Sequence, residues 1–501
     1  MAVMVEHEAE SPLDLVKGPT IRFRLVRLEG EVHVLLMTAH HLVCDGWSTN
    51  VLLSELGPLY ASGGDVAALP AAAQYADYSR WEEETRRTAE GSATEAYWIG
   101  QYRQPPGFLE LPTEGLRPSD LTYAGATERR IVPRPLVDAV RKAGARQGCT
   151  LFATLLAAFD VLLHRLSGQD DVVVGVPAAG QSSWGRDGLV GHCVNFLPVR
   201  SLLPEGAIVK DHLKATRTRV LEAYEHQNYT YGTLVRKLAL PRDPSRLPLM
   251  EVQFNVEKVG GDLALPGLNV SVDPNGKKYA NSDLFLNVIE GPDGLVLDCD
   301  FKTELFSRDT IRRWLGHFET LLEGLAADPE ARVDELPLLS APEKERVLHA
   351  WNDTAVDWPP PYTIHALIEK QAAATPGAPA VVAGRTTLTY RDLDARAARL
   401  AGFLASRGAG PGSLVALCVE RSADMLVALL GILKTGAAYV PLDPAFPKER
   451  LALILEDARP KLLVTHASLA DELPEHGAAV VTLDTDAPLI DAAPEHATRV
   501  P

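Results

Sequence analysis

Apolar and polar residues alternate with a period of two between residues 32 and 37, directly before a polar segment. This alternation is typical of a half-buried β-strand. Further on, apolar residues recur at helical spacing from Leu52 to Tyr60, and Ser48 stands where a helix cap is expected. The pattern therefore predicts a strand, then a helix, with a connecting loop over residues 40–47.

The rest of the chain shows patterns of both helices and strands. A strand-like segment begins near Thr127, and residues 343–361 have the composition of a linker that ends in three prolines. The clearest elements are a helix over 152–166 that ends at Ser167-Gly168, a buried strand over 172–176, an amphipathic helix over 311–327, a buried strand over 415–419, a helix over 423–434 and a strand over 438–441. The last three favour a parallel α/β sheet.

These patterns divide the chain into four parts. We predict a first lobe over residues 1–120, a second lobe over 121–342, a linker over 343–363 and a further α/β segment over 364–501. No solenoid-like repeat is present.

Composition narrows the class of protein. The chain has 501 residues, 46% of them hydrophobic, which is enough for several sizeable cores. A formal net charge of -17 without a basic cluster argues against a nucleic-acid surface. The 5 cysteines are widely spaced without a CxxC pair, so neither disulfides nor a metal site is suggested. The start lacks the apolar core of a signal peptide, and no apolar run is long enough to span a bilayer, so we expect a cytoplasmic protein.

Candidate chemistry lies in the predicted loop, which carries two histidines, an aspartate and a glycine. A histidine side chain, with an unperturbed pKa of about 6.5, can accept a proton from an amine or hydroxyl that attacks a thioester. His41, beside His40, is the candidate for this role in an acyl-transfer site. Asp45 is predicted to fix the loop by pairing with an arginine. Gly46 permits either a positive φ or the close approach of a thioester arm, although a plain turn would need it too.

The stretch HHLVCDGWS, residues 40–48, resembles the signature of condensation domains in nonribosomal peptide synthetases. Other segments resemble further motifs in the family's order, so the likeness covers most of residues 12–354. These are Pro12-Leu13-Asp14-Leu15 with Gly18-Pro19 and Arg22, Tyr75-Ala76-Asp77-Tyr78 with Trp81, residues 190–200 around Val194-Asn195, His226-Gln227-Asn228-Tyr229, residues 242–249, and Trp351-Asn352-Asp353-Thr354.

The resemblance implies a fold, an activity and partners. The fold is α/β, with two lobes like chloramphenicol acetyltransferase and the histidine loop at the floor of a tunnel between them. The activity is the joining of a donor acyl thioester to the α-amine of an acceptor aminoacyl thioester. Each substrate is held on the phosphopantetheine arm of an upstream or downstream carrier domain of the assembly line. The resemblance leaves open whether His41 removes the proton or mainly positions the amine.

The resemblance also implies roles for residues outside the loop. The family's last motif supplies the arginine that pairs with the loop aspartate, which favours Arg246, with Arg242 as a competitor. Trp47 and Asn195 are candidates to line the tunnel, although Asn195 can equally hold a strand end by bonding to backbone. His192 and His226 match motif positions but are interpreted as packing or hydrogen-bonding groups.

A second resemblance begins at Ile364. Leu388-Thr389-Tyr390-Arg391-Asp392-Leu393 and residues 433–443, LKTGAAYVPLD, resemble the first two motifs of an adenylation domain. The segment would be the incomplete N-terminal subdomain of an adenylate-forming enzyme. It has no Ser/Thr/Gly-rich phosphate loop followed by lysine, so ATP and Mg²⁺ are expected only in a complete adenylation domain. No cofactor or metal is expected in this chain. The family carries an arginine-bearing motif before Pro12 that nothing here matches, so we expect an internal fragment, truncated at its front.

Within the superfamily, Asp45-Gly46-Trp47-Ser48 argues against a heterocyclising domain and against an epimerase. Two other functions remain open. One is a free-standing acyltransferase for a soluble alcohol or amine, which would leave residues 364–501 unexplained. The other is a piece without catalytic activity that only docks carrier domains and keeps its affinity after His41→Ala.

Overall fold

The computed structural model describes residues 4, 7, 8, 11–240, 243–258, 263, 265–272, 278–291, 293–357 and 363–496. The predicted site residue Arg242 and the three prolines of the linker lie outside the described residues. The chain separates into two compact units, Met1–Asn352 and Asp353–Pro501, each with its own hydrophobic core. The finer boundaries at residues 120 and 342 stay predictions.

An antiparallel hairpin opens the first unit. Its strands are β1 (Ile21–Glu29) and β2 (Val32–Ala39), and β2 confirms the strand predicted from the period-two pattern. The first helix, α1 (Gly46–Ala61), begins earlier than predicted. Its cap is Asp45, not Ser48, because the Asp45 side chain accepts the Ser48 N–H at 2.8 Å. A short 3-10 turn follows at Val66–Ala68, and then come helices α2 (Tyr75–Arg86) and α3 (Ala89–Gln101).

The second lobe is built on a six-stranded mixed sheet in the order β3-β8-β7-β6-β4-β5. Strand β6 pairs in parallel with β4 and β7, and the other pairs are antiparallel. The strands are β3 (Gly125–Pro133), β4 (Asp171–Ala179), β5 (Val194–Leu202), β6 (Val252–Lys258), β7 (Leu284–Gly291) and β8 (Gly294–Lys302). The strand-like segment predicted to begin near Thr127 and the strand predicted over 172–176 are thereby confirmed.

The sheet packs against helices that bury the largest core of the chain. Residues 153–163 are buried without interruption in α5, which explains the run of apolar residues in its sequence. As predicted, α5 ends at Gly168, whose φ of 71° is the left-handed conformation that glycine adopts readily. The helices are α4 (Arg134–Arg146), α5 (Leu151–Ser167), α6 (Gly180–Trp184), α7 (Val209–Glu225), α8 (Tyr231–Leu238) and α9 (Arg308–Ala327).

The segment predicted as a linker starts with regular structure. A capping box at Ser340 and Glu343 begins helix α10 (Ala341–Leu348), and a 3-10 turn at Ala350–Asn352 follows. Another 3-10 turn, Val333–Glu335, precedes α10.

The second unit contains the predicted parallel sheet, in the order β12-β11-β13-β14. The predicted helix over 423–434 and strand over 438–441 have the observed bounds. Its elements are α11 (Ile364–Ala374), β9 (Pro379–Ala383), β10 (Thr386–Thr389), α12 (Tyr390–Ser406), β11 (Leu414–Cys418), α13 (Ala423–Lys434), β12 (Ala438–Pro441), α14 (Lys448–Ala458), β13 (Leu462–Thr465), α15 (Ala467–Ala470), β14 (Ala479–Thr482) and α16 (Ala487–Asp491).

In the described part of the chain, no single helix is long and apolar enough to cross a membrane. Helices α4 and α5, which meet at an angle of 99°, reach the required length and apolar composition only when they are taken as a pair.

Candidate active site

The histidine loop, residues 40–45, leaves strand β2 and ends at the cap of α1. The backbone N–H of His40 donates to the carbonyl of Thr20 at 2.9 Å, which continues the hairpin pairing into the loop. The Nδ1 of His40 accepts the N–H of Leu42 at 3.1 Å. A neutral histidine that accepts at Nδ1 carries its proton on Nε2, so it has no free basic nitrogen. The bond gives His40 a role in shaping the turn, and its place among the catalytic residues stays a prediction.

His41 is the exposed histidine of the loop, and it contacts the second lobe. Its Nδ1 lies 3.0 Å from Nδ1 of His192. The two rings meet edge to face, with centroids 5.0 Å apart and planes at 81°. Burial lowers the pKa of His192, and His41 lowers it further, while Asp45 acts in the opposite direction. His192 is thus predominantly neutral at neutral pH, as a hydrogen-bond partner for His41.

Asp45 binds the histidine loop to the second lobe. Its side chain is 2% exposed. One carboxylate oxygen accepts the N–H and the hydroxyl of Ser48 at 2.8 and 2.7 Å. The other accepts the amide of Gln181 and the backbone N–H of Cys193, both at 3.0 Å. Burial raises the pKa of Asp45, but these hydrogen bonds outweigh burial and leave the pKa below its ordinary value. Asp45 therefore has the predicted structural role.

The structure contradicts the predicted pairing of Asp45 with Arg246, and the competitor Arg242 lies outside the described residues. Arg246 instead binds Glu251 at 2.7 Å and Glu110 at 2.9 Å, and its guanidinium stacks over the ring of Phe108. Neutral donors bind the Asp45 carboxylate, because the second lobe brings the backbone N–H of Cys193 and the side-chain amide of Gln181 to it directly. Arg246 stabilises a different place in the fold, where Glu251 also accepts the N–H of Leu109 at 2.8 Å.

Gly46 and Trp47 begin helix α1. Gly46 is exposed and does not have a positive φ, and a methyl group placed on its Cα would meet no atom within 4 Å. Of the predicted alternatives for Gly46, the positive φ is thus not observed, and the close approach of a thioester arm to the open space beside the backbone stays a prediction. The indole of Trp47 donates to the carbonyl of Asp187 at 2.7 Å. This bond is a second connection between α1 and the second lobe, and Trp47 is not among the residues that line the neighbouring cavity.

A cavity of about 370 Å³ lies next to His192. Aromatic side chains of α2 form one wall, and strand β5 with residues 227–232 forms the other. Asn195 lines this cavity, but its amide is fully occupied: it donates to the carbonyls of Gln227 and Tyr229 at 2.8 and 2.9 Å and accepts the N–H of Tyr231 at 3.0 Å. These bonds to backbone agree with the alternative in which Asn195 holds a strand end, and its place in a tunnel stays a prediction.

His226 has a packing role, as expected. Its ring stacks on Tyr97 with centroids 4.2 Å apart, and its Nδ1 lies 3.1 Å from the Thr94 hydroxyl. Its carbonyl accepts the indole N–H of Trp98 at 2.8 Å.

Sequence reasoning missed three contributors to the site. Gln181 is fully buried and donates to Asp45, yet a glutamine in a short helix gives no signal in the sequence. The Ser48 hydroxyl accepts the N–H of Gly191 at 2.9 Å, in addition to its bond with Asp45. The hydroxyl of Tyr75 donates to the His192 carbonyl at 2.8 Å. Ser48 and Tyr75 stood in motif segments, but such a segment does not indicate their partners in the second lobe.

The chain is similar to large synthetases. Residues 1–348 match the condensation domain family, and residues 368–500 match the AMP-binding enzyme family. Tyrocidine synthase 3 of Brevibacillus parabrevis is 34% identical over 487 residues, which make up 97% of this chain and 7% of that protein. Surfactin synthase subunit 2 of Bacillus subtilis (strain 168) is 35% identical over 474 residues, or 94% of this chain and 13% of that protein.

A solved structure of a related synthetase matches nearly the whole chain. The crystal structure of a four-domain nonribosomal peptide synthetase bound to AMP and glycine matches with a TM-score of 0.78 and 25% identity, over 99% of this chain and 38% of that one. The chain spans about a tenth of the length of the two synthetases from Brevibacillus and Bacillus.

The first unit, with its mixed sheet, its two lobes and a histidine loop that contacts the second lobe, has the fold of the chloramphenicol acetyltransferase-like proteins. More narrowly, the chain belongs to the condensation domain family, and it continues into the start of an AMP-binding enzyme domain. The predicted fold class and family are thereby confirmed.

Proposed function

We propose that this chain forms an amide bond between an acyl donor and an aminoacyl acceptor, both presented as thioesters. The observation that carries the proposal is the exposed imidazole of His41, whose hydrogen-bond partner His192 lines a cavity of about 370 Å³. Family membership supports the same chemistry, because condensation domains of the related synthetases form peptide bonds. Phosphopantetheine arms of upstream and downstream carrier domains would bring the two substrates.

The reaction needs one proton transfer that this geometry can provide. The acceptor amine attacks the donor thioester carbon, the C–N bond forms and the C–S bond breaks. The amine proton passes to Nε2 of His41 and then to the leaving thiolate. An α-amine with a pKa of about 7.7–8.0 is partly neutral at pH 7, so the base acts as attack proceeds, with an effect of about 10² to 10⁴-fold.

The proposal assigns no bound cofactor to this chain. ATP and Mg²⁺ belong to the complete adenylation domain of the relatives, and these 501 residues contain no Ser/Thr/Gly-rich phosphate loop followed by lysine. We place the reaction in the cytoplasm, where all five cysteines, which are buried and free, would stay reduced.

The test is amide formation from a donor and an acceptor loaded on separate carrier proteins, with mass spectrometry of the thioester products. The proposal expects the joined product on the acceptor carrier. A parallel reaction replaces the acceptor carrier with a soluble amine or alcohol. Faster transfer to the soluble acceptor would favour a free-standing acyltransferase. Carrier binding without product would favour a docking role.

A further inference from the structure

The hydrogen bond between His41 and His192 determines which nitrogen of His41 is basic. A bond between two Nδ1 atoms needs a proton on one ring and a lone pair on the other. If His41 donates, its Nε2 is free to accept a proton. If His192 donates, the His41 Nε2 already carries a proton and His41 cannot act as a base.

The surroundings of His41 favour the first arrangement. Asp45 is the nearest carboxylate in sequence, but its two oxygens are occupied by Ser48, Gln181 and Cys193. Among the contacts of the described residues, the hydrogen-bond partner of the His41 ring is His192. Burial and the neighbouring His41 lower the pKa of His192, which favours the neutral ring, the form that can accept a hydrogen bond.

His192 is also rigidly placed relative to the histidine loop. The residues on either side of it bond to the loop's end: Gly191 to the Ser48 hydroxyl at 2.9 Å and the Cys193 N–H to Asp45 at 3.0 Å. The carbonyl of His192 accepts the Tyr75 hydroxyl at 2.8 Å. The segment that carries His192 and the loop that carries His41 are therefore joined at points close to both rings.

We propose that His192 is a positioning residue that accepts the Nδ1–H of His41 and thereby holds His41 in the tautomer with a free Nε2. The role usually taken by a carboxylate or a backbone carbonyl would here be taken by a second imidazole. When Nε2 of His41 takes the amine proton, the bond to His192 persists, since the Nδ1–H is unchanged. The proposal rests on the proposed base role of His41.

Two variants separate this role from simple packing. His192→Asn keeps an acceptor oxygen near the place of Nδ1, whereas His192→Leu removes the acceptor and keeps the approximate size. In amide formation we expect His192→Leu to lower kcat at least about tenfold with KM changed less than about twofold, and His192→Asn to stay within about threefold of the parent kcat. Equal losses in both variants, or none in either, would overturn the proposal.

The tautomer itself can be measured without any substrate. The full chain, labelled with ¹⁵N-histidine, is measured by long-range proton–nitrogen correlation above the usual range of histidine titration, and His41→Ala assigns the His41 signals. For His41 we expect a protonated Nδ1 and an unprotonated Nε2 in the parent, and loss of this tautomer in His192→Leu. Unchanged signals of the other histidines show that the variant keeps the fold. A protonated Nε2 in the parent overturns the proposal even if His192→Leu fails to fold. Because this measurement needs no activity, failure of the amide-forming function would be recognised separately.

Discussion

Asp45 is the residue on which the position of the histidine loop depends most. It caps α1, and it also accepts hydrogen bonds from two segments of the second lobe. A buried carboxylate costs free energy unless its lone pairs are satisfied, and here neutral donors satisfy them. The acidic residue of the motif therefore has an architectural role, and the chemical role in our proposal falls to His41.

Replacing Asp45 should destabilise the first unit. We expect Asp45→Ala to lower the free energy of unfolding by about 2–4 kcal/mol, because a helix cap is lost and buried donors remain unpaired. Asp65→Ala is the matched control, since exposed Asp65 caps only a short 3-10 turn and should cost less than about 1 kcal/mol. Urea unfolding followed by tryptophan fluorescence measures both. Equal losses would contradict the role given to Asp45.

The buried carboxyl group of Asp160 should make the free energy of unfolding depend on pH. It is buried in α5 and accepts the Ser201 hydroxyl at 2.6 Å, and burial raises its pKa to about 7. The nearby His212, 3.9 Å away, offers no ion pair at neutral pH, because burial lowers its pKa to about 4.

The folded state keeps a proton on Asp160 up to about pH 7, whereas the unfolded state releases this proton above the ordinary pKa of 3.8. The protonated carboxyl group therefore contributes stability at low pH, and this contribution is lost as pH rises through about 7. Asp160→Asn keeps an acceptor for Ser201 and does not titrate. We expect it to gain stability relative to the parent between about pH 5 and pH 8. Thermal or urea unfolding at the two pH values is the measurement, and a constant difference would contradict the raised pKa.

At the scale of elements, close contacts between helices make particular glycines necessary. A methyl group placed on Gly144 of α4 would stand 2.0 Å from the Thr154 hydroxyl of α5. Gly100, in the exposed face of α3, has no atom within 4 Å of that position. The same substitution should therefore have opposite effects at the two sites.

We expect Gly144→Ala to lower the free energy of unfolding by about 1–3 kcal/mol through overpacking. Gly100→Ala should raise it by up to about 1 kcal/mol, because alanine favours the helix. Chemical unfolding of both variants measures the pair. A stabilising Gly144→Ala would show that α4 and α5 approach less closely than the structure has them.

The local pattern of apolar and capping residues predicted most helices and strands, but it did not predict which residues far apart in sequence bind one another. The strand β2, the helix α5 with its end at Gly168, and the bounds of α13 and β12 followed from periodicity and from capping residues. The hydrogen-bond partners of Asp45 could not be predicted in this way. The choice between Arg246 and neutral donors depends on where strands β4 and β5 place Gln181 and Cys193. The start of α1 was also missed, since Asp45 and Ser48 are both good caps and only geometry selects between them.

At the scale of the whole molecule, the candidate site lies within one unit. The histidine loop, the bonds of Asp45, His192 and the cavity all belong to Met1–Asn352. The second unit contributes the parallel sheet of an AMP-binding domain and a separate core. The order of the motifs predicted this arrangement from sequence, because each family's segments occur in one continuous block.

The central claim is that His41 is the base in amide formation, and one comparison tests it most directly. Single-turnover amide formation from loaded carriers is measured for the parent chain, His41→Ala and His33→Ala. His33 is a matched control, since it is an exposed histidine of β2 whose Nδ1 lies 3.2 Å from the Glu31 carbonyl in the same hairpin.

We predict that His41→Ala lowers the rate at least about tenfold and up to about 10⁴-fold, while His33→Ala stays within about twofold of the parent. Equal rates for the parent and His41→Ala would contradict the account and remove His41 from the chemistry.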